Sequence, residues 1–177
     1  VGVDGSAAQL AEAVRRGGGV HYARGFATGL PLRDGVADAV VLCLVVEHVE
    51  DLDALLDEAS RVLRRGGTAL VVMNHPLLHT PDSCWVDEWG PGGTAECYWR
   101  TGPYLPVAVL DEEVDPGVVV RFWHRPLSVY VNGLASRGLL LTEMVEPAPP
   151  ADFQVVLSDP AMAATVPRLL LLALEKA

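Results

Sequence analysis

The segment DAVVLCLVV, residues 38–46, is apolar almost without a break. It has the length of a strand. Apolar residues on both of its faces predict a central parallel strand with helices on either side. The period then changes. Over residues 51–64, Leu52, Leu55, Leu56, Ala59, Val62 and Leu63 fall on one stripe of a helix. Asp51 and Asp53 suit the positive end of that helix, Arg61, Arg64 and Arg65 suit its negative end, and Gly66-Gly67 is a stop signal. TALVVMN, residues 68–74, is a second buried strand. A strand, helix and strand of these lengths form a right-handed crossover, the unit from which doubly wound α/β sheets are built.

The flanking residues repeat the alternation. VGVD ends a short strand, and Ser6 with Gln9 makes a capping-box pattern before Ala7, Leu10, Ala11 and Val14 at helical spacing. Gly17-Gly18-Gly19 follows a helix instead of opening one, so it reads as a helix stop and not as a phosphate cradle. Residues 20–24 are a short strand and GFATGLPLRDG is a loop. Residues 118–124 form a strand, 126–137 a helix stopped by Gly138, 139–145 a strand, EPAPPADF a link, and 168–175 a last strand. Between residues 76 and 117 the chain is rich in Pro, Gly and Trp and has no helical period. This is the pattern of a loop-rich insertion that folds over a site. The expectation is one α/β domain over residues 1–177 that carries this insertion.

Composition narrows the function. The 23 acidic residues outnumber the 13 Lys and Arg for a formal charge of −10, and the Arg residues are scattered, so nucleic acid is an unsuitable partner. No uninterrupted apolar stretch is long enough to span a membrane, and the first residues have no basic region ahead of an apolar one. Three cysteines without a dense pattern suit reduced thiols in the cytoplasm. His75, His79, Cys84 and Cys97 lack the paired knuckle spacing of a zinc site, so no metal is expected.

Taken in order, VGVDGS, GFATGLPL, DAVVLCLVVEHVEDL and EASRVLRRGGTALVV resemble the class I S-adenosylmethionine-dependent methyltransferases, in particular the small-molecule branch with a methyltransferase type 11 domain. The tail FWHRPLSVYVNGLASRGLLLTEMVEPAPP and PRLLLLALEK is similar to that branch too. The resemblance implies a Rossmann-like, doubly wound, mostly parallel sheet with an antiparallel last strand. Residues 1–4, 20–24, 38–46 and 68–74 then correspond to its second to fifth strands. It also implies a first strand and a GxGxG loop ahead of VGVDGS. The chain is therefore expected to be the C-terminal portion of a longer enzyme, truncated at its N-terminal side, or a relative that has lost cofactor binding.

The resemblance implies S-adenosylmethionine as cofactor and a small-molecule methyl acceptor as partner. Asp4 takes the place of the acid that accepts from the ribose hydroxyls, a task that suits an acceptor-only carboxylate. Gly5 and Ser6 lie beside the adenosine. Ala27 matches the residue whose backbone faces adenine, next to Phe26, where the branch often has Asp. Cys43 and Leu44 end the fourth strand, near the methionine part of the cofactor, and His48 lies just after it, where it contacts the cofactor or substrate or caps the turn into the next helix. His75 and His124 are candidate bases near the carboxyl ends of strands, with His48 a third. The aromatic residues Trp85, Trp89, Tyr98, Trp99 and Tyr104 form either a lid or the insertion's own small core. Two rival readings are a non-catalytic binding subunit and a nicotinamide dehydrogenase. The EHVEDL and RVLRRGG segments speak against the second.

Overall fold

The computed structural model describes residues 1–90, 95–149 and 160–177. Strand β1 (Gly2–Asp4) leads through helix α1 (Ala7–Arg16) to β2 (Tyr22–Arg24), and β1 and β2 pair in parallel. A second sheet holds β3 (Ala37–Cys43), β4 (Leu63–Asn74), β9 (Leu139–Val145) and β10 (Leu169–Lys176) in the order β3-β4-β10-β9. β3 and β4 are parallel, and β10 runs antiparallel to both of its neighbours, as expected of the last strand. Helices α2 (Leu52–Val62) and α3 (Leu127–Ala135) supply the helical side of the core.

Helix α2 forms where its pattern demands it. The Asp51 side chain accepts the Ala54 N–H at 2.9 Å, a cap in the first turn. Leu52, Leu55, Leu56, Ala59 and Val62 are all buried. They meet Ala69, Val71 and Met73 of β4 and Leu170, Leu172 and Leu174 of β10, along with Tyr130 and Leu134 of α3. The helix ends at Val62, and Leu63, Arg64 and Arg65 already belong to β4. Gly66 sits inside that strand at φ 68°, a left-handed conformation that glycine adopts without a Cβ penalty.

Three expectations are corrected. First, β3 is not buried on both faces. Val41 is 60% exposed, Cys43 is exposed, and among the described residues only β4 pairs with this strand. Leu70 of β4, which pairs with Val41, is exposed on the same face, because no described helix crosses it. Second, α1 buries none of its residues, and Val14 on its apolar stripe is 64% exposed. Third, the insertion is not loop throughout. β5 (Cys84–Trp89) and β6 (Ala95–Arg100) form one antiparallel hairpin, and β7 (Ala108–Asp115) pairs antiparallel with β8 (Val118–His124). Trp85 packs edge-on against Trp99 across the first hairpin, 5.5 Å between ring centres. The EPAPPADF link lies partly outside the described residues.

Among the described residues, β1 and β3 each pair on one edge only, and their other edges face a common cleft of about 640 Å³. The apolar residues of β3 have the composition of a doubly covered strand but no partner on that side. The folding energy instead resides in the α2 interface. Replacing the fully buried Leu55 by Ala is expected to lower stability by about 3 kcal/mol, read as a shift of the urea denaturation midpoint at unchanged slope.

Candidate functional site

The cleft runs between β1 and β3. Val1, Val3, Asp4 and Gly5 line one side, residues 36–42 the other, and Gly25, Ala27 and Leu30 also contribute. Most of the wall is apolar, and Asp4 and Asp38 are its charged groups. The turn after β1 is held firmly. Asp4 Oδ1 accepts the Ser6 N–H at 2.6 Å, Gly25 N–H donates to the Asp4 carbonyl at 3.1 Å, and Arg24 Nε donates to the Gly5 carbonyl at 3.1 Å. Ser6 caps α1 by accepting the Gln9 N–H. These bonds leave Oδ2 of Asp4 available to accept from a ligand. Gly5 is needed for close approach, since a Cβ there would stand 3.2 Å from the Phe26 ring.

Helix α2 also fixes the loop beneath the cleft. Arg61 donates to the Leu30 and Leu32 carbonyls at 3.2 and 2.8 Å, to Asp34 at 2.6 Å and to Glu58 at 2.6 and 2.7 Å. Glu58 accepts the Leu30 N–H at 2.6 Å. The guanidinium beside it holds the Glu58 carboxyl below its ordinary range. Loop residues 30–34 are thereby anchored to the same helix that fills the core.

The expected site residues divide into two groups. Asp4, Gly5 and Ala27 line the cleft, Ser6 follows at the helix cap, and Phe26 packs on Gly5 with 70% of its surface exposed. Cys43 and Leu44 stand at the end of β3. Leu44 has φ 52°, a left-handed conformation unusual for a branched side chain, and its N–H donates to the Val72 carbonyl at 2.7 Å. His48 turns away from the cleft. It lies on the 3-10 turn Val46–His48, where Nδ1 donates to the Arg121 carbonyl at 2.9 Å and the ring rests on Phe122, 4.5 Å between centres. Its Nε2 therefore carries the lone pair.

His75 and His124 are both buried. His75 Nδ1 accepts the Leu77 N–H at 3.1 Å, so Nε2 bears the proton and donates to Glu146 at 2.8 Å. Neither nitrogen of His75 keeps a lone pair free for an acceptor's proton. His124 directs Nε2 to the Tyr104 carbonyl at 2.7 Å. No described group of His, Cys, Asp or Glu has the arrangement of a metal site.

Sequence reading named His79 only within a histidine–cysteine set that it set aside as a zinc site. His79 stacks on Phe122, with 4.3 Å between ring centres, and its Nε2 lies 3.7 Å from Glu112 Oε1. Phe122, near the end of β8, thus meets His79 stacked and His48 tilted. Burial pushes His79 down to about 4, against the pull of Glu47, while burial raises Glu112.

Comparisons with known proteins bear on the fold. Residues 1–71 match the family model described as a methyltransferase domain. The chain superposes on a Listeria monocytogenes protein assigned to the S-adenosylmethionine-dependent methyltransferases with a TM-score of 0.81 at 18% identity, covering 99% of this chain and 79% of that one. An S-adenosylmethionine-dependent methyltransferase of Mesorhizobium loti superposes with a TM-score of 0.77 at 24% identity, with the same coverage. The fold is that of a class I methyltransferase. A ubiquinone/menaquinone biosynthesis C-methyltransferase of Caulobacter is 39% identical over 70 residues, 38% of this chain. The match covers 28% of that relative, so the chain spans well under half the length of the curated relatives it matches.

In this class I methyltransferase fold, the site's clearest titration belongs to His79. Its folded value lies below the ordinary 6.5, so the native state favours the neutral ring. The resulting stability is fully present above pH 6.5 and is lost as pH falls toward about 4. The loss is expected to reach about 3 kcal/mol at most, by the linkage conversion of 1.36 kcal/mol per pH unit. Denaturation measured from pH 7.5 to 4 should show this slope, and His79→Asn should remove it.

Proposed function

We propose that the protein transfers a methyl group from S-adenosylmethionine to a small-molecule acceptor. The observation that carries the reading is Asp4. A carboxylate with one free oxygen ends β1, at a glycine turn fixed by three hydrogen bonds, beside a cleft of about 640 Å³. That donor set fits a nucleoside. The acid suits paired ribose hydroxyls, the Gly5 backbone allows close approach, and Ala27 and Leu30 present an apolar surface for a base. Asp4, Gly5, Ser6, Phe26 and Ala27 would hold the adenosine, with Cys43 and Leu44 toward the other end. The cofactor supplies an electrophilic methyl on a sulfonium whose leaving group is a neutral thioether.

The protein's own part is then to orient the acceptor, exclude water and receive a proton. Of the three histidines, His48 is the half-buried one with a ring nitrogen left free for the last task, although it stands outside the cleft. Its Nδ1 is fixed on the Arg121 carbonyl, Nε2 bears the lone pair, and the residue lies just past the end of β3. His75 and His124, the two other candidates, have their Nε2 protons committed to protein acceptors and serve better as positioning groups. Curated relatives are named as ubiquinone/menaquinone biosynthesis C-methyltransferases, so an electron-rich aromatic carbon is the first acceptor class to test.

A second reading, a binding subunit without catalysis, is favoured by Phe26. Its exposed ring can stack on adenine but cannot accept from the exocyclic amine. Calorimetric titration of S-adenosylhomocysteine into the chain decides between them. Micromolar binding supports the enzyme, and no binding by folded protein supports the second reading. In the first case Asp4→Asn is expected to weaken binding about 10- to 100-fold, because a charged acceptor of ribose hydroxyls becomes a neutral one.

A further inference from the structure

Two polar side chains at the far end of β4 line a small cavity apart from the cleft. Glu47 is 3% exposed and His124 2%. Glu47 Oε1 accepts from the Asn74 backbone N–H at 3.1 Å and from Asn74 Nδ2 at 3.0 Å, while Oε2 has no partner. His124 Nε2 lies 2.7 Å from the Tyr104 carbonyl. A carbonyl only accepts, so Nε2 carries the proton and Nδ1 of the neutral ring is an acceptor. It too has no partner. Both residues line the same cavity of about 10 Å³, with His79, Arg125 and Tyr130 also in its wall.

With the ring neutral, two acceptors on residues that line one small cavity cannot satisfy each other. Burying them unpaired is the arrangement that folded proteins avoid. What the space calls for is a small neutral group with two donors. A cation is disfavoured by the Arg125 guanidinium in the wall, which is itself held by the Val46, Val49 and Glu50 carbonyls at 3.4, 2.9 and 2.6 Å. The volume is about that of a single water-sized probe.

We propose that this cavity is a built site for one water molecule, which donates one hydrogen to Glu47 Oε2 and the other to His124 Nδ1. The bridge has a consequence for the neighbouring residue. Glu47 lies on the turn after β3, and His124 ends β8. Together with the three Arg125 bonds, the water closes the contact between that turn and the end of β8. His48, next to Glu47, makes its own bond to Arg121 of β8 within the same contact. Glu47 and His124 are therefore positioning residues for His48. This consequence rests on the methyltransferase reading, but the water site itself does not.

The test is a high-resolution crystal structure of the full chain, together with nitrogen NMR of its histidines. The expected result is one density peak about 2.7–3.0 Å from both Glu47 Oε2 and His124 Nδ1. His124 should be in the Nε2–H form, with Nδ1 shifted as a hydrogen-bonded acceptor. Glu47→Gln keeps an acceptor for Asn74 and offers an amide to the water, so it should fold and retain the peak. Glu47→Leu should abolish the peak, return the His124 Nδ1 signal to that of an unbonded acceptor and broaden the His48 signals. A cavity without density, or direct contact between Oε2 and Nδ1, overturns the proposal. Cofactor titration keeps the two claims apart. The peak without cofactor binding leaves the water site standing and removes the methyltransferase reading, and binding without the peak does the reverse.

Discussion

The packing of α2 onto β4 and β10 is the constraint on which the remaining structure depends. One face of this helix fills the core with Leu55, Leu56 and Val62, each 1% exposed. Its polar side reaches outward in two directions. Glu58 and Arg61 hold the loop under the cleft, and Arg137 donates to Asp53 and Asp57 to pin the end of α3. The Arg137 and Arg61 pairs are partly screened by water, so their contribution lies in fixing geometry more than in adding stability. A shift of α2 would move the cleft floor and the α3 end together, because one rigid helix carries the anchors of both.

The β3–α2–β4 unit was the most legible part of the sequence because its signal is local. An apolar run, a capped amphipathic stripe and a second apolar run each declare their period within a few residues. The antiparallel β10 followed from the resemblance, and the structure has it, with the strand order β3-β4-β10-β9. The hairpins of the insertion were not legible for the opposite reason. Trp85 and Trp99 stabilise β5 and β6 from opposite strands, and nothing within either segment reveals that pairing.

Burial was the part misread on β3 and α1. Hydrophobic composition reports what a segment is suited to pack against, not whether that partner is in place. Val41 and Val14 have the character of covered residues and stand 60% and 64% exposed. The candidate site divides along the same line. Asp4 was legible because a carboxylate after a strand and before a helix cap is a local pattern. His79 was not, because its environment is assembled from Phe122, Glu112 and Glu47, all distant in sequence.

The open edge of β3 bears on how a ligand would bind. Its apolar residues and those of β1 form a cleft whose charged groups stand toward its ends, with Asp4 at the carboxyl end of β1 and Asp38 near the start of β3. A ligand with a sugar-like polar group and an apolar base would place the first on Asp4 and bury the second against Ala27 and Leu30. A wholly apolar ligand would gain the same burial but leave Asp4 covered without a partner, which is costly. On the proposed reading, the cleft would discriminate by what its acid demands. The apolar surface would supply affinity in proportion to area, and the single unfilled oxygen of Asp4 would select among the ligands that can use it.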